Sequence, residues 1–128
     1  MGGMFVRDHN QLCWGVDLVI EHLLATVGAH RPPPKAEKPL RASAGIYVSA
    51  EASGVVSNVD VLKAKARSKE FTYFHPMVEV GDEVLGPTDA ADFPTWLCGF
   101  MLSAPNAELA IARAKAVNDE VVANVGLR

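Results

Sequence analysis

Histidines and cysteines are the first residues to test for chemistry, because their spacing decides whether a metal or a nucleophile is available. His9 and Cys13 are four residues apart, so a helix would place both on one face. No second pair with ligand spacing accompanies them, and structural zinc sites take four ligands. Cys13 lies beside Trp14 and Cys98 lies in an apolar run, positions typical of packed thiols. The sequence therefore predicts neither a metal site nor a catalytic cysteine.

A glycine pair near the N-terminus is the remaining candidate for a ligand site. Gly2 and Gly3 permit positive φ angles and close approach of the backbone to a ligand. The pair lacks the Gly-Lys-Ser/Thr ending of a P-loop, and the chain has no Gly-x-Ser-x-Gly elbow. Because glycine pairs also form ordinary turns, the pair alone does not identify a phosphate site.

Composition narrows the class of protein. The chain has 128 residues, of which 49% are hydrophobic and 21% charged, which predicts one compact domain or a piece of a larger one. The net charge of −3 and the lack of a large basic patch argue against nucleic acid as a partner. No apolar run reaches the roughly 20 residues of a membrane helix, and no secretory pattern is present, so we expect a cytoplasmic protein. The two cysteines allow one disulfide, although reduced thiols are the rule in that compartment.

The first third of the chain is predicted to be a polar loop, one amphipathic helix and a linker. An apolar stripe with helical spacing is formed by Val16, Val19, Ile20, Leu23, Leu24 and Val27. Asp17 and Glu21 fall on the other, solvent side, and Gly28 ends the helix. Residues 31–43 form the linker. Its three consecutive prolines favour a stiff spacer, with a docking motif for a proline-binding partner as the alternative.

The remaining residues, 44–128, predict a small α/β subdomain. Strands are expected at 44–49, 54–59, 71–80 and 95–102. The third should lie at a sheet edge or contain a bulge, because Pro76 lacks a donor. Gly81 and Asp82 predict a hairpin turn. Asp60 is expected to cap a helix that runs to about residue 67, and Asn106 to cap a closing helix that Gly126 ends. The buried stripe of that last helix is predicted to be Ala107, Ala110, Ile111, Ala114, Val117 and Val121. The fold class is therefore α+β: an N-terminal helix and a proline-rich linker, then a β-β-α-β-β-α sheet with helices on one face.

Two stretches near the N-terminus, residues 1–8 (MGGMFVRD) and 14–19 (WGVDLV), resemble a known family. They are similar to the C-terminal part of an ATP-grasp carboxylate–amine ligase, most like the carnosine synthase branch. In that family a Glu-x-Asn metal motif and an arginine precede a small-residue loop and a helix that begins Gly-hydrophobic-Asp. Further similar pieces follow in the family's order: residues 54–56, 80–84 and 96–98, and the alanines and Glu108 of the last helix.

The resemblance implies a dipeptide-forming ligase in which ATP converts an amino-acid carboxylate to an acyl phosphate that an amine then attacks. ATP and Mg²⁺ are implied for the full-length relative, and the chain has no counterpart of the family's nucleotide lysines or metal carboxylates. Residues 1–30 would be the tail of the ATP-grasp domain, packed on the missing domains or self-associated through the first helix. The whole chain would be inactive alone. The loop that lines the amino-acid pocket corresponds to Gly2, Gly3 and Met4. The alternative is a stand-alone α+β binding or assembly module, in which residues 44–128 would cover the apolar stripe of the first helix.

Overall fold

Residues 5–33 and 36–128, which this computed structural model describes, fold into four helices and six short strands. In chain order the elements are α1 (Val6–Trp14), α2 (Leu18–Thr26), β1 (Ala42–Ser49), β2 (Gly54–Asn58), α3 (Asp60–Ala66), β3 (Phe71–Pro76), β4 (Glu83–Val84), β5 (Trp96–Ala104), α4 (Ala107–Asn124) and β6 (Gly126–Leu127). The α+β class expected from the sequence is confirmed. No helix among the described residues combines the length and the hydropathy that a membrane span requires.

The larger of two antiparallel sheets has the strand order β1-β5-β3. Its central strand, β5, is the apolar run predicted to be an inner strand, and nearly all of its residues are buried because both faces of the sheet are covered there. β3 lies at the edge, as the proline within it predicts. Alternate residues of the sheet, such as Ile46 and its partner Phe100, point to the face that packs against the helices.

One helical layer covers that inner face. α4 supplies it with an alanine-rich stripe whose narrow side chains let the helix approach the sheet closely: Ala110, Ala114, Val117 and Val121. Leu62 of α3 is fully buried in the same core. The predicted stripe of α4 was wrong at two positions, since Ala107 and Ile111 are exposed. Its predicted cap is confirmed, because Asn106 Oδ1 accepts a hydrogen bond from the Leu109 N–H at 2.9 Å.

The smaller sheet has the order β4-β2-β6, and it explains why the predicted hairpin is wrong. The turn at Gly81 exists, with φ of 101°, but the strands on either side of it belong to different sheets. β3 ends at Pro76 instead of residue 80. The chain then crosses to β2, where the Gly81 N–H donates to the Val56 carbonyl at 2.8 Å and the Val56 N–H donates to the Asp82 carbonyl at 2.9 Å.

The N-terminal prediction of one helix after a polar loop was also wrong. Residues 6–14 are helical, and Gly15 ends this first helix in the left-handed conformation, with φ of 72°. Asp17 then caps a second helix, its Oδ1 accepting from the Val19 N–H at 2.9 Å. The amphipathic helix predicted from the apolar stripe is therefore present as α2, and the error is the stretch before it, which was expected to be a loop and forms α1.

The remaining differences are an additional strand and shifted element ends. The Gly126 that was predicted to end the last helix lies in β6, which was not predicted, and α4 ends at Asn124. β1 begins at Ala42, two residues before the expected strand and inside the segment predicted to be linker. Asp60 is the first residue of α3 and not its cap, because Asn58 Oδ1 accepts the Asp60 N–H at 2.8 Å. An asparagine two residues before a helix performs the role that the sequence suggested for the aspartate.

Candidate functional site

Phe5 packs the N-terminal segment against the large sheet. It is 8% exposed, and its ring centroid lies 5.1 Å from that of Tyr47 and 5.7 Å from that of Tyr73. Rings at these separations pack favourably beyond the area they bury. The three residues predicted to bind substrate directly precede it and lie outside the described residues: Gly2, Gly3 and Met4. The structure thus describes the anchor that follows the predicted loop.

Two glycines make room for the Phe5 ring on the sheet. A Cβ built on Gly45 would lie 2.9 Å from Phe5 Cδ2, and one built on Gly99 would lie 3.4 Å from Phe5 Cζ and 3.2 Å from the Tyr47 ring. Both glycines lie on the face opposite α4, called the outer face hereafter. Tyr47, Gly99 and His75 are register partners across its three strands. A small residue is required where the aromatic ring approaches the backbone.

A second contact holds α1 to β1. His9 Nδ1 forms a hydrogen bond with Ser43 Oγ, and Cys13 Sγ lies 3.2 Å from the same oxygen. His9 and Cys13 therefore share a helical face, as their spacing predicts. A histidine beside a serine begins a nucleophilic triad, but triad chemistry also needs a carboxylate at the other ring nitrogen of the histidine, and none is hydrogen-bonded to His9 Nε2 among the described residues. We interpret the cluster as a structural contact that holds α1 against β1.

An ion pair joins α1 to α2. The Arg7 guanidinium donates two hydrogen bonds to the Asp17 carboxylate, at 3.0 and 2.6 Å. Hydrogen bonding to Arg7 is the main reason that the pKa of Asp17 falls to about 2, and the same contact raises the pKa of Arg7. The Asp17 side chain is 16% exposed, and Glu21 lies 3.4 Å from His30. The prediction that both acids are plain solvent-side charges was therefore wrong.

The apolar stripe of α2 faces solvent. Ile20, Leu23 and Val27 are 53%, 58% and 74% exposed, Leu24 is at 36%, and α2 has no buried residue. A helix this apolar is ordinarily covered by another element. Here it packs mainly on α1, so residues 44–128 do not bury the stripe. An exposed apolar patch of this kind marks an interaction surface.

Aromatic side chains continue along the outer face beyond Phe5. The rings of Tyr47 and Trp96 stack, with centroids 4.4 Å apart and planes inclined by 23°. Trp96 is 44% exposed although Tyr47 covers one of its faces. On the opposite edge strand, Tyr73 and His75 lie with centroids 6.2 Å apart. The outer face thus presents stacked aromatic surface next to the end of the predicted substrate loop.

The described residues give little indication of metal binding or of a reactive cysteine. Within 5–33 and 36–128, no three His, Cys, Asp or Glu side chains come together in a group that could hold a metal ion. Cys13 and Cys98 are both free thiols, the first partly exposed and the second buried. Burial raises the pKa of Cys98 to about 12, so this thiol is protonated at neutral pH and is a poor nucleophile.

Sequence reasoning missed the aromatic outer face. Tyr47, Tyr73 and Trp96 stand on three strands that are distant in sequence. One signal was present, since Gly45 and Tyr47 alternate with the apolar residues of β1. The three aromatics form one surface only because β1 and β3 both lie beside β5, and the sequence alone does not show this strand order.

Comparison with known proteins establishes the fold. No protein-family model matches the sequence, and no curated protein does. The chain is similar to an L-amino acid ligase from Bacillus licheniformis, with a TM-score of 0.75 and 15% identity over 99% of this chain. It is also similar to a phosphoribosylglycinamide synthetase from Anaerococcus prevotii, with a TM-score of 0.58 and 12% identity over 97% of this chain. The chain spans 30% of the length of each. It therefore has the mixed α/β fold that one part of each of these two enzymes has.

Proposed function

We propose that this chain is part of an ATP-grasp ligase that joins an amino-acid carboxylate to an amine through an acyl phosphate. The observation that carries the proposal is the match of almost the whole chain to an L-amino acid ligase at a TM-score of 0.75. The N-terminal motif, with Gly2, Gly3 and Met4 ahead of a helix that Asp17 caps, supports a dipeptide ligase of the carnosine synthase type. The working compartment would be the cytoplasm.

The contribution of this chain would be on the amino-acid side. Gly2, Gly3 and Met4 would line the pocket, and Phe5 would hold that loop at the outer face through its contacts with Tyr47 and Tyr73. ATP and Mg²⁺ serve the proposed reaction, but the described residues offer no cluster of carboxylates that fits the ion. The remaining 70% of such a ligase would have to supply that cluster, so the chain alone would be inactive.

The exposed stripe of α2 favours this proposal over a stand-alone binding or assembly module. In a stand-alone module, residues 44–128 would cover Ile20, Leu23 and Val27, and in the structure these side chains are more than half exposed. We propose that residues 1–30 pack on the missing ATP-grasp domains, that 31–43 act as a linker and that 44–128 form the C-terminal subdomain. In the isolated chain, the stripe of α2 would be buried by self-association instead.

The test is a titration of the ¹⁵N-labelled chain monitored by NMR, first with Mg-ATP and then with β-alanine, L-alanine and L-histidine. Because half of the pocket would be missing, we expect amino-acid binding in the millimolar range, with shifts at Phe5 and its neighbours and none with Mg-ATP. Replacing Gly2 and Gly3 by valine should remove the amino-acid shifts without altering the spectrum of β5. Stoichiometric binding of Mg-ATP, or silence towards all amino acids, would overturn the proposal.

A further inference from the structure

We propose that a cavity between α4 and the segment that joins α3 to β3 binds a small zwitterion with its ammonium and carboxylate groups at opposite ends of an apolar chain, as in an ω-amino acid. The cavity has a volume of about 460 Å³, within the range of roughly 300–1,000 Å³ of small-molecule sites. It lies on the side of the large sheet that α4 covers, opposite to Phe5. The inference goes beyond the proposed function and uses none of its residues.

The floor of the cavity is apolar. It is lined by Leu102 of β5 and Val117 of α4, whose side chains are 3% and 6% exposed, and by the methyl group of Ala116. A chain of methylene groups would gain free energy by covering such a surface. A polar spacer such as a peptide group would lose hydrogen bonds to water there, because these side chains have no donor or acceptor to replace them. The floor therefore selects an apolar spacer.

One pair of charges in the cavity wall is already neutralised. Lys65 Nζ lies 2.7 Å from Glu120 Oε2, and the Lys65 side chain is only 15% exposed. Because each partner balances the other, this ion pair gives the cavity no net charge. It also connects α3 to α4 across the cavity, and so helps to hold the two walls at a fixed separation.

Arg113 and Glu70 are the charged side chains of the wall that lack such a partner. Both are exposed and line the same cavity, and no ion pair among residues 5–33 and 36–128 involves either of them. Their charged groups are therefore more than 4.0 Å apart. A ligand that carries both charges can bridge this gap, with its carboxylate on the guanidinium and its ammonium on the carboxylate. A ligand with one charge would leave one of the two side chains unpaired.

The backbone under both side chains is ordered before any ligand binds. Arg113 lies in the middle of α4. Glu70 follows a turn in which the Ser68 N–H donates to the Lys65 carbonyl at 3.0 Å and the Glu70 N–H donates to Ser68 Oγ at 3.3 Å. Binding would thus have to order side chains and not the loop, which limits its entropic cost.

The experiment is a titration of the ¹⁵N-labelled chain at low salt, monitored by NMR. The probes are 6-aminohexanoate, its isomer L-norleucine, which has both charges at one end, and hexanoate and hexylamine, which carry one charge each. We expect millimolar binding of 6-aminohexanoate, with shifts at Glu70, Arg113 and their neighbours, and binding of the other three that is weaker by about threefold or more. Raising NaCl to about 0.5 M should weaken the binding of 6-aminohexanoate, because salt screens exposed charges.

Arg113→Gln and Glu70→Gln should each weaken the binding of 6-aminohexanoate about threefold. The matched controls are Lys115→Gln and Glu108→Gln, which remove one charge of each sign from exposed positions of α4 that do not line the cavity. Both controls should leave the affinity unchanged, and circular dichroism confirms that each variant folds.

Three results would overturn the proposal. Equal affinities for 6-aminohexanoate and L-norleucine would contradict the separation of the two charges. Equal affinities for 6-aminohexanoate and either hexanoate or hexylamine would contradict the use of both charges. The absence of shifts around the cavity, or an affinity that neither Arg113→Gln nor Glu70→Gln changes, would overturn the site itself. None of these results bears on the ligase proposal.

Discussion

Arg7 and Asp17 face each other across the bend between the first two helices, with Arg7 Nε 3.0 Å from Asp17 Oδ1 and Arg7 Nη2 2.6 Å from Asp17 Oδ2. The same carboxylate accepts the Val19 N–H at the start of α2. One side chain thus caps the second helix and binds the first. Because α2 packs mainly on α1, this residue sets the angle at which the apolar stripe is presented.

Acid should loosen the junction of the two helices. The folded-state pKa of Asp17 is lowered to about 2, below the ordinary carboxyl value near 4. A lowered pKa means that the stabilisation is fully present above about pH 4 and is lost as the pH falls towards 2. Amide hydrogen exchange of residues 18–26, followed from pH 5 to pH 2, should accelerate in this window beyond its intrinsic pH dependence. Asp17→Asn keeps a good N-cap but not the ion pair, so its exchange should lack the extra step. An identical step in Asp17→Asn would show that another group is responsible.

Gly45→Ala should displace α1 from the sheet. The new Cβ would meet the Phe5 ring at 2.9 Å, and overpacking of this kind costs about 1–3 kcal/mol. Local unfolding of residues 5–14, measured by hydrogen exchange, should become easier by that amount. The matched control is Gly45→Ala in a Phe5→Ala background, where only the looser contact with His9 Nε2 at 3.2 Å remains and the substitution should cost less. If Gly45→Ala costs the same free energy with and without the Phe5 ring, the strain does not come from that ring.

The α2 stripe should tolerate polar replacement. Leu23→Gln with Val27→Gln is expected to change the free energy of unfolding by no more than about 0.5 kcal/mol for each residue, since both side chains are already exposed. Leu62→Ala, in the core, should cost about 2–5 kcal/mol. Urea unfolding measures both. Sedimentation velocity should show less self-association in the double variant, and an undiminished association would mean that another surface drives it.

The two thiols should differ in reactivity. At pH 8 the folded chain should react quickly with one equivalent of a disulfide reagent, at Cys13, because burial holds the pKa of Cys98 near 12. In guanidinium chloride both should react. Cys13→Ser should remove the fast phase. The thiol that remains, Cys98, should then react only when the chain unfolds. A fast reaction of the Cys13→Ser variant would contradict the burial of Cys98.

Local signals in the sequence were sufficient for several elements. The apolar run of β5, the cap at Asn106, the turn at Gly81 and the edge position of Pro76 each depend on residues close in the chain, and all four are confirmed. Elements that depend on distant partners were missed. α1 is polar on most sides and is fastened by a few contacts to β1, including the one at Ser43, which its own periodicity does not reveal.

The candidate site also has one part that was predicted from the sequence and one part that was not. Its loop, Gly2 to Met4, was predicted by resemblance and lies outside the described residues. Its aromatic surface was not found, because Tyr47 and Trp96 become neighbours only when β5 inserts beside β1. Likewise, the failure of the predicted hairpin followed from the pairing of β4 with β2, a strand about 30 residues earlier.

The strand order β1-β5-β3 also governs when the large sheet can assemble. β1 and β3 both pair with β5, the last of the three strands to leave the ribosome. Until residue 104 has emerged, residues 42–49 and 71–76 have no central strand to join, so the sheet forms late and through contacts between distant segments. Such topologies fold slowly and leave strands unpaired in the meantime. We therefore expect substitutions in the apolar run 96–104, which joins the other two strands, to slow folding more than those in α2.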